Sequence, residues 1–283
     1  MPTRLYSIRP WIADDPFLPE AEERHPCGRV DVDAGAWSRK GADRSINEDY
    51  FASASLASSR RHPGIPLFFA IADGMGGEAA GQRASRIAAQ SMLDSLAGLP
   101  LRRLESAPED ALRSALLRAH LDVLEDGNED PRRSGMGSTL TAALVLWPRA
   151  YLIHSGDSRC YRLRRGTLKL LTSDHTVAEL LVARGQLSPE QARKSRFRNV
   201  LWNHLGGDAR MPQPELASLD LEPGDGLLLA SDGLIAPLSE VELAEIASRP
   251  VSAHAVCHML VESAAGRGTR DDATAVFARF GLP

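Results

Sequence analysis

The stretch LFFAIADGMGGEAAGQRASRIAAQSMLDSL, residues 67–96, is the most informative part of the chain for the fold. Its first seven residues, Leu67–Asp73, form a short apolar run that ends on a carboxylate, which favours a buried strand. Glycines within residues 74–77 break that strand. The Ala, Arg, Gln and Leu content from Ala79 to Leu96 then favours a helix. The sequence therefore predicts a strand and a helix in direct succession.

Strands and helices alternate in blocks on both sides of this stretch. Further strands are predicted at residues 30–38, 50–56, 137–147, 151–155, 160–163, 167–172, 213–221, 226–231 and 273–280. The four strands between residues 137 and 172 are so closely spaced that they predict an antiparallel meander. Further helices are predicted after a capping box at 106–109, before Gly185, from Pro189, and over 240–248 and 253–265. This pattern predicts an α+β fold in which two packed antiparallel sheets are flanked by helices.

The chain divides into a predicted N-terminal extension, residues 1–29, and one globular domain, residues 30–281. The extension contains several prolines and acids without periodicity. The sequence is compatible with two alternatives for this extension, disorder and packing along the domain. Within the domain, residues 174–208 interrupt the β pattern with helical signals.

The composition argues against several classes of protein. With 283 residues, of which 43% are hydrophobic, the chain is long and apolar enough to bury a core without disulfides. A net charge of −4 disfavours nucleic-acid binding. No membrane-spanning helix and no secretory signal is expected, because no apolar run has the required length. Three widely spaced cysteines, Cys27, Cys160 and Cys257, suggest a reducing, cytoplasmic location.

Carboxylates stand at the ends of the predicted strands. They are Glu48, Asp49, Asp73, Asp157, Asp232 and Asp271, and several have a glycine neighbour. Two carboxylates about 5 Å apart repel by roughly 3 kcal/mol at an effective dielectric constant of 20, so a converging set requires divalent cations. Oxygen ligands without Cys or His favour Mg²⁺ or Mn²⁺. For each acid taken alone, a capping or turn role explains its position equally well.

Six short motifs follow one another along the chain, and five of them contain these acids. They are Arg44-Ser-Ile-Asn-Glu48-Asp49, Asp73-Gly-Met-Gly-Gly77, Gly137-Ser-Thr139, Gly156-Asp-Ser-Arg159, Ser231-Asp-Gly-Leu234 and Asp271-Asp-Ala-Thr274. Together they resemble the bacterial branch of the metal-dependent PP2C (PPM) serine/threonine protein phosphatases over residues 30–281. The resemblance implies a four-layer α-β-β-α sandwich with a dinuclear metal site at one end of the sheets. It also implies that residues 174–208 form a flap beside the cleft.

The resemblance further implies a role for each matched residue. The implied metal-binding residues are Glu48, Asp49, Asp73, Gly74, Asp157, Asp232 and Asp271. Within this set Asp73 would bridge two Mn²⁺ or Mg²⁺ ions, Asp49 would support the site, and Asp157 would hold a third ion. Arg44 would bind the substrate phosphate, which its planar guanidinium fits.

The implied activity is hydrolysis of phosphoserine and phosphothreonine in proteins by a metal-activated water. Its substrates would be proteins phosphorylated by a serine/threonine kinase. The sequence departs from the family pattern at Met75 and Glu78, which leaves the general acid unassigned, and at Gln82, which replaces a common Glu. Asp272 stands where an Asn is usual and adds a negative charge.

Two other functions are weighed against this one. The chain could be a phosphoprotein-binding module that has lost turnover. It could also be a dinucleotide-dependent oxidoreductase, because Gly74-Met-Gly76-Gly-Glu-Ala79 imitates a G-x-G-x-x-A fingerprint. That fingerprint needs a second strand ending in an acid about 20 residues on, where this sequence predicts a helix.

Three smaller patterns have both an ordinary and a functional interpretation. Gly156-Asp-Ser158 resembles an esterase nucleophile block, although a turn explains it better. His254, His258 and Glu262 have the spacing of a zinc-binding helix edge or of a surface face. The basic cluster Arg193–Arg198 predicts a solvated helix face or a docking surface for acidic phosphopeptides.

Overall fold

Two antiparallel sheets packed face to face form the centre of the protein. The computed structural model describes residues 23–27, 30–56, 66–207 and 210–281. The strands are β1 (Glu23–Cys27), β2 (Val30–Arg39), β3 (Asp49–Ser55), β4 (Leu67–Met75), β5 (Gly137–Ser138), β6 (Leu140–Leu146), β7 (Arg149–Ser155), β8 (Arg159–Arg164), β9 (Thr167–Leu170), β10 (Leu205–Gly206), β11 (Glu215–Asp220), β12 (Gly226–Ala230) and β13 (Ala273–Phe280). The first sheet has the order β1-β2-β13-β12-β8-β9. The second has the order β10-β5-β4-β6-β7-β11, with β3 paired to β4.

Helices cover the outer face of each sheet. They are α1 (Glu78–Ala97), α2 (Leu101–Ser106), α3 (Pro108–Glu129), α4 (Val177–Ala183), α5 (Pro189–Lys194), α6 (Asp232–Ile235), α7 (Glu240–Ala247) and α8 (Ala253–Gly266). Helices α1 and α3 pack on the second sheet, whereas α7 and α8 pack on the first. The predicted α+β class and four-layer α-β-β-α sandwich are therefore confirmed.

The position of β4 between two layers explains why its first six residues are apolar. Phe68 and Ala70 face the layer of α1 and α3, while Phe69 and Ile71 face the space between the two sheets. Successive side chains of a strand point to opposite faces, and here both faces are covered. The strand consequently has no polar side.

Two details of the sequence prediction differ from the structure. The predicted meander is wrong, because β6 and β7 pair in one sheet and β8 and β9 in the other. Hairpin spacing does not indicate to which sheet a hairpin belongs. The capping box at residues 106–109 is also wrong, since Ser106 ends α2 and Ala107 precedes α3 without a side-chain cap. Strand β1, which lies inside the predicted extension, pairs with β2 at the start of the predicted domain.

The other element predictions agree with the structure to within a few residues. Capping boxes form at Ser188 and Ser239, and Gly185 follows α4 with a φ of 70°. The remainder of the predicted extension, residues 1–22, lies outside the described residues. The domain limits 1–29 and 30–281 stay a prediction.

The register brings the acidic motifs to one end of the sandwich. In the second sheet, Leu140 at the start of β6 pairs with Ser155 at the end of β7. In the first sheet, Ala230 at the end of β12 pairs with Ala275 near the start of β13. The turns that follow or precede these residues contain the predicted ligands.

Candidate metal centre

Asp73 lies near the end of β4, directly opposite Asp49 in the antiparallel register with β3. Ser138 and Thr139 form hydrogen bonds with the backbone of Asp73. The amide of Asp73 donates to Thr139 Oγ1 at 2.9 Å, and the Asp73 carbonyl accepts from the amide of Thr139 at 2.9 Å and from Ser138 Oγ at 3.0 Å. The Gly137-Ser-Thr139 motif therefore holds the strand end that bears Asp73.

Asp73 is the electrostatic centre of the acidic group. Burial raises the pKa of Asp73 well above its usual range, and repulsion from Asp49, Asp232, Asp157 and Asp271 raises it further. Four carboxylates from four separate motifs thus act on one side chain. This convergence is what the sequence predicted for the set.

Asp49 is held by two hydroxyls from the first sheet. Its Oδ2 accepts from Ser231 Oγ at 2.8 Å and from Thr274 Oγ1 at 2.6 Å. Burial raises the pKa of Asp49, and these two hydrogen bonds oppose that rise. The contacts join β3 to the motifs that contain Asp232 and Asp271.

Two buried oxygens of the group have no hydrogen-bond partner among the described residues. They are Oδ1 of Asp49 and Oδ1 of Asp232. Leaving such a group unsatisfied is costly, whereas a hard cation would satisfy it. The residues present therefore fit a divalent cation of the Mg²⁺ or Mn²⁺ class.

Asp157 and Asp232 have pKa values close to neutrality. Burial, followed by repulsion from Asp232, raises the pKa of Asp157 to about 7. Burial, followed by repulsion from Asp271, raises the pKa of Asp232 to about 6. For both carboxylates, burial and repulsion outweigh the arginine that lowers the pKa, which is Arg159 for Asp157 and Arg44 for Asp232.

Arg44 contacts predicted metal ligands directly. Its Nη1 lies 2.5 Å from Glu48 Oε2, and its Nη2 lies 2.6 Å from Asp271 Oδ1. The guanidinium thus bridges two of the predicted ligands. Within the described ranges, no three of the predicted carboxylates have ligand atoms that all lie within 4.8 Å of one another.

Gly74 lies where β4 meets the start of α1. Its amide donates to the Glu48 carbonyl at 3.1 Å. A Cβ atom at Gly74 would lie 1.9 Å from the Gly81 carbonyl oxygen. Only glycine permits this approach of strand and helix, which places the Gly74 backbone beside Glu48.

The Gly156-Asp-Ser-Arg159 motif is tied both to Asp73 and to the flap. Ser158 Oγ lies 3.0 Å from Thr139 Oγ1 and is fully buried, so the esterase interpretation is wrong. Arg159 donates through Nε and Nη2 to the two carboxylate oxygens of Asp174, at 2.8 and 2.7 Å. This paired contact anchors the first residue of the flap.

The predicted flap, residues 174–208, is described as far as residue 207. It contains α4 and α5, and residues near its two ends contact each other. Trp202 donates its amide to the His175 carbonyl at 3.0 Å, and Thr176 forms a bridge with Leu201. The basic side chains within Arg193–Arg198 are all exposed. Their exposure agrees with either interpretation of that cluster.

A second cluster, His154, His175 and Glu215, brings three ligand atoms within 4.8 Å of one another. It does not fit a metal ion. Asn203 donates from Nδ2 to His175 Nδ1 at 2.8 Å, and its orientation is set by hydrogen bonds to the Gln213 backbone. Burial lowers the pKa of His175, so the ring is neutral and its proton lies on Nε2, the atom nearest Glu215.

The structure also argues against a zinc site on the helix that bears His254 and His258, and against dinucleotide binding at Gly74. His254 and His258 pack against the Trp37 ring, with centroid distances of 5.5 and 4.9 Å, and Glu262 pairs with Arg39. The strand before Gly74 has antiparallel neighbours on both sides, β3 and β6. A dinucleotide fold needs a parallel neighbour there.

Sequence reasoning missed how the ligands are held. Thr139, Ser231 and Thr274 stood inside the quoted motifs, yet their contacts to Asp73 and Asp49 join residues far apart in the chain. Gly81 was not singled out, because a lone glycine in a predicted helix is a weak signal.

Comparison with known proteins finds a family model and relatives that match most of the chain. Residues 40–267 match the family model described as protein phosphatase 2C. The chain is 36% identical over 248 residues to the serine/threonine protein phosphatase PstP of Mycobacterium tuberculosis, covering 86% of this chain and 44% of that protein. The chain thus spans less than half the length of this relative.

Two solved structures share the fold. A Streptococcus agalactiae serine/threonine phosphatase superposes with a TM-score of 0.78 at 28% identity, covering 88% of this chain and 99% of that one. The catalytic domain of PstP in complex with two manganese ions superposes with a TM-score of 0.74 at 31% identity, covering 89% and 99%. Within the described part of this chain, no helix has the length and apolarity to cross a membrane.

Proposed function

Because this chain belongs to the protein phosphatase 2C family, we propose that it hydrolyses phosphoserine and phosphothreonine in proteins at a dinuclear Mn²⁺ or Mg²⁺ centre. The observation that supports this most directly is the repulsion of buried Asp73 by four other carboxylates. The relative PstP has a structure with two manganese ions. When bound, such ions supply an activated water and orient the phosphoryl group.

The proposed ligands are Glu48, Asp49, Asp73, Gly74, Asp157, Asp232 and Asp271. Asp157 and Asp232 are proposed to share a third ion, which their raised pKa values support. Arg44 is proposed to bind the substrate phosphate after leaving Glu48 and Asp271. Its fork of N–H donors matches two phosphate oxygens.

The proposed partners are proteins phosphorylated by a serine/threonine kinase. The exposed basic cluster Arg193–Arg198 in the flap supports docking of acidic phosphopeptides beside the cleft. Cys160 and Cys257 are free and buried, which supports a reducing, cytoplasmic location.

The deciding experiment measures phosphate release from a phosphoseryl peptide after EDTA treatment and again after Mn²⁺ is added back. We expect turnover only with the metal, and near-complete loss in Asp73→Ala. Glu125→Ala, which removes an exposed carboxylate from α3, is the control and keeps wild-type activity. Binding of the peptide without release of phosphate would favour the phosphoprotein-binding module instead.

A further inference from the structure

The loop between β2 and β3, residues 40–48, is closed by a single buried carboxylate. The amide of Gly41, near the start of the loop, donates to Asp272 Oδ1 at 2.8 Å. The amide of Glu48, at its end, donates to Asp272 Oδ2 at 2.7 Å. Asp272 is 3% exposed, so water does not replace these contacts.

This loop contains two residues of the proposed site. Arg44 lies in its middle and donates its amide to the Gly41 carbonyl at 3.3 Å. Glu48 is its last residue. A shift of either end of the loop would therefore move the guanidinium of Arg44 or the carboxylate of Glu48.

Both partners of the Asp272 side chain are N–H donors, which a carboxylate satisfies with one oxygen each. An ionised carboxylate accepts hydrogen bonds at both oxygens, whereas an amide accepts at one end and donates at the other. An Asn at this position would direct an NH₂ group at one of the two backbone amides.

We propose that Asp272 is a positioning residue that sets Arg44 and Glu48 by holding both ends of the loop, and that it is not a metal ligand. Both of its oxygens are engaged by amides. The assignment of Arg44 to phosphate and Glu48 to metal rests on the proposed function, whereas the holding of the loop does not.

The test compares Asp272→Asn with Asp225→Asn, a matched control. Asp225 is 1% exposed and also accepts at both oxygens, from Arg164 and from the Glu222 amide. Asp225 precedes β12, whereas Asp232, a predicted metal ligand, follows that strand. Both variants therefore lose a buried carboxylate that accepts at both oxygens, at opposite ends of the antiparallel pair β12 and β13.

We expect Asp272→Asn to weaken Mn²⁺ binding, measured by calorimetry, by about tenfold, the usual effect of losing a residue that orients a ligand. We also expect a rise of KM for p-nitrophenyl phosphate that exceeds the fall of kcat. Asp225→Asn should leave both the Mn²⁺ affinity and KM within about twofold of wild type. Unchanged Mn²⁺ affinity and KM in Asp272→Asn, or equal losses in Asp225→Asn, would overturn the proposal.

Amide hydrogen exchange separates this proposal from the proposed function. In the wild-type protein without metal, the amides of Gly41 and Glu48 should exchange more slowly than those of Ala42 and Asp43. Asp272→Asn should remove that protection from at least one of the two amides, the one that faces the new NH₂ group. Equal exchange rates along the wild-type loop would reject the holding role, even if the variant fails to fold. Absence of turnover in the wild type with intact protection would reject the proposed function alone.

Discussion

A Cβ atom at Gly81 would lie 2.1 Å from Oε1 of Glu48. Gly81 is in the first turn of α1, and Glu48 precedes β3. The helix therefore approaches the proposed ligand so closely that any side chain at residue 81 would occupy the space of the Glu48 carboxylate. The nearest atom is the end of a flexible side chain, which moves more easily than the backbone.

Gly81→Ala should displace the Glu48 carboxylate and weaken Mn²⁺ binding by about tenfold or more, with no ligand removed from the sequence. The fold should persist, since alanine favours a helix over glycine by about 1 kcal/mol. Calorimetric titration with Mn²⁺ measures the effect. Gly266→Ala is the control, because a Cβ atom there meets nothing within 4 Å. Wild-type affinity in Gly81→Ala would show that Glu48 is not a ligand.

Mn²⁺ should raise the melting temperature of the wild-type protein by about 5–10 °C. Binding at 100 times Kd stabilises the native state by about 2.7 kcal/mol per site, and each kcal/mol corresponds to about 2–4 °C at this chain length. Asp73→Asn should abolish the rise, yet melt higher than wild type without metal, because it removes repulsion from four carboxylates. Scanning fluorimetry measures both. An unchanged wild-type melting temperature at saturating Mn²⁺ would contradict a shared site.

Arg44→Ala should raise KM for p-nitrophenyl phosphate about tenfold while Mn²⁺ affinity stays near wild type or tightens. The guanidinium pairs with Glu48 and Asp271, so it competes with a cation for them. Steady-state kinetics and Mn²⁺ calorimetry separate the two effects. If Arg44→Ala loses metal as severely as Asp73→Ala, the phosphate role is wrong.

His154 should make the protein less stable in acid. Burial is the main cause that lowers its pKa to about 3, from an ordinary value of 6.5. Between these two pH values His154 is protonated in the unfolded chain but not in the folded protein. The free energy of unfolding therefore falls as the pH drops from 6.5 towards 3. The loss is about 2 kcal/mol at pH 5.

His154→Gln removes this group, so its unfolding free energy should fall about 2 kcal/mol less than that of wild type between pH 7 and pH 5. Urea denaturation at the two pH values measures the difference. His258→Gln, which removes an exposed histidine, is the control and should keep the wild-type pH dependence. Equal pH dependence in wild type and His154→Gln would refute the buried neutral state.

Reversing two flap charges, Arg196→Glu with Arg198→Glu, should raise KM for an acidic phosphopeptide about tenfold, or about 1.4 kcal/mol. The KM for p-nitrophenyl phosphate should stay unchanged, because that substrate is too small to reach the flap surface. Arg102→Glu with Arg113→Glu, exposed on α2 and α3, is the matched control. An equal effect of the control pair would assign the change to net charge.

The sequence by itself determined the elements and the chemistry. Apolar runs such as Leu67–Asp73 and capping signals such as Ser239–Glu242 depend on neighbouring residues, so β4 and α7 could be predicted from them. The order of the six motifs identified the family, and their acids predict oxygen ligands for a metal, since metal preference follows from side-chain type.

Only the tertiary structure decided how these residues meet. The chain passes from one sheet to the other between β7 and β8, which no local signal marks. The contacts of Asp272 with Gly41, and of Gly81 with Glu48, join residues that are 231 and 33 positions apart. Such contacts depend on how the layers pack against each other, whereas composition and periodicity report only which residues are buried.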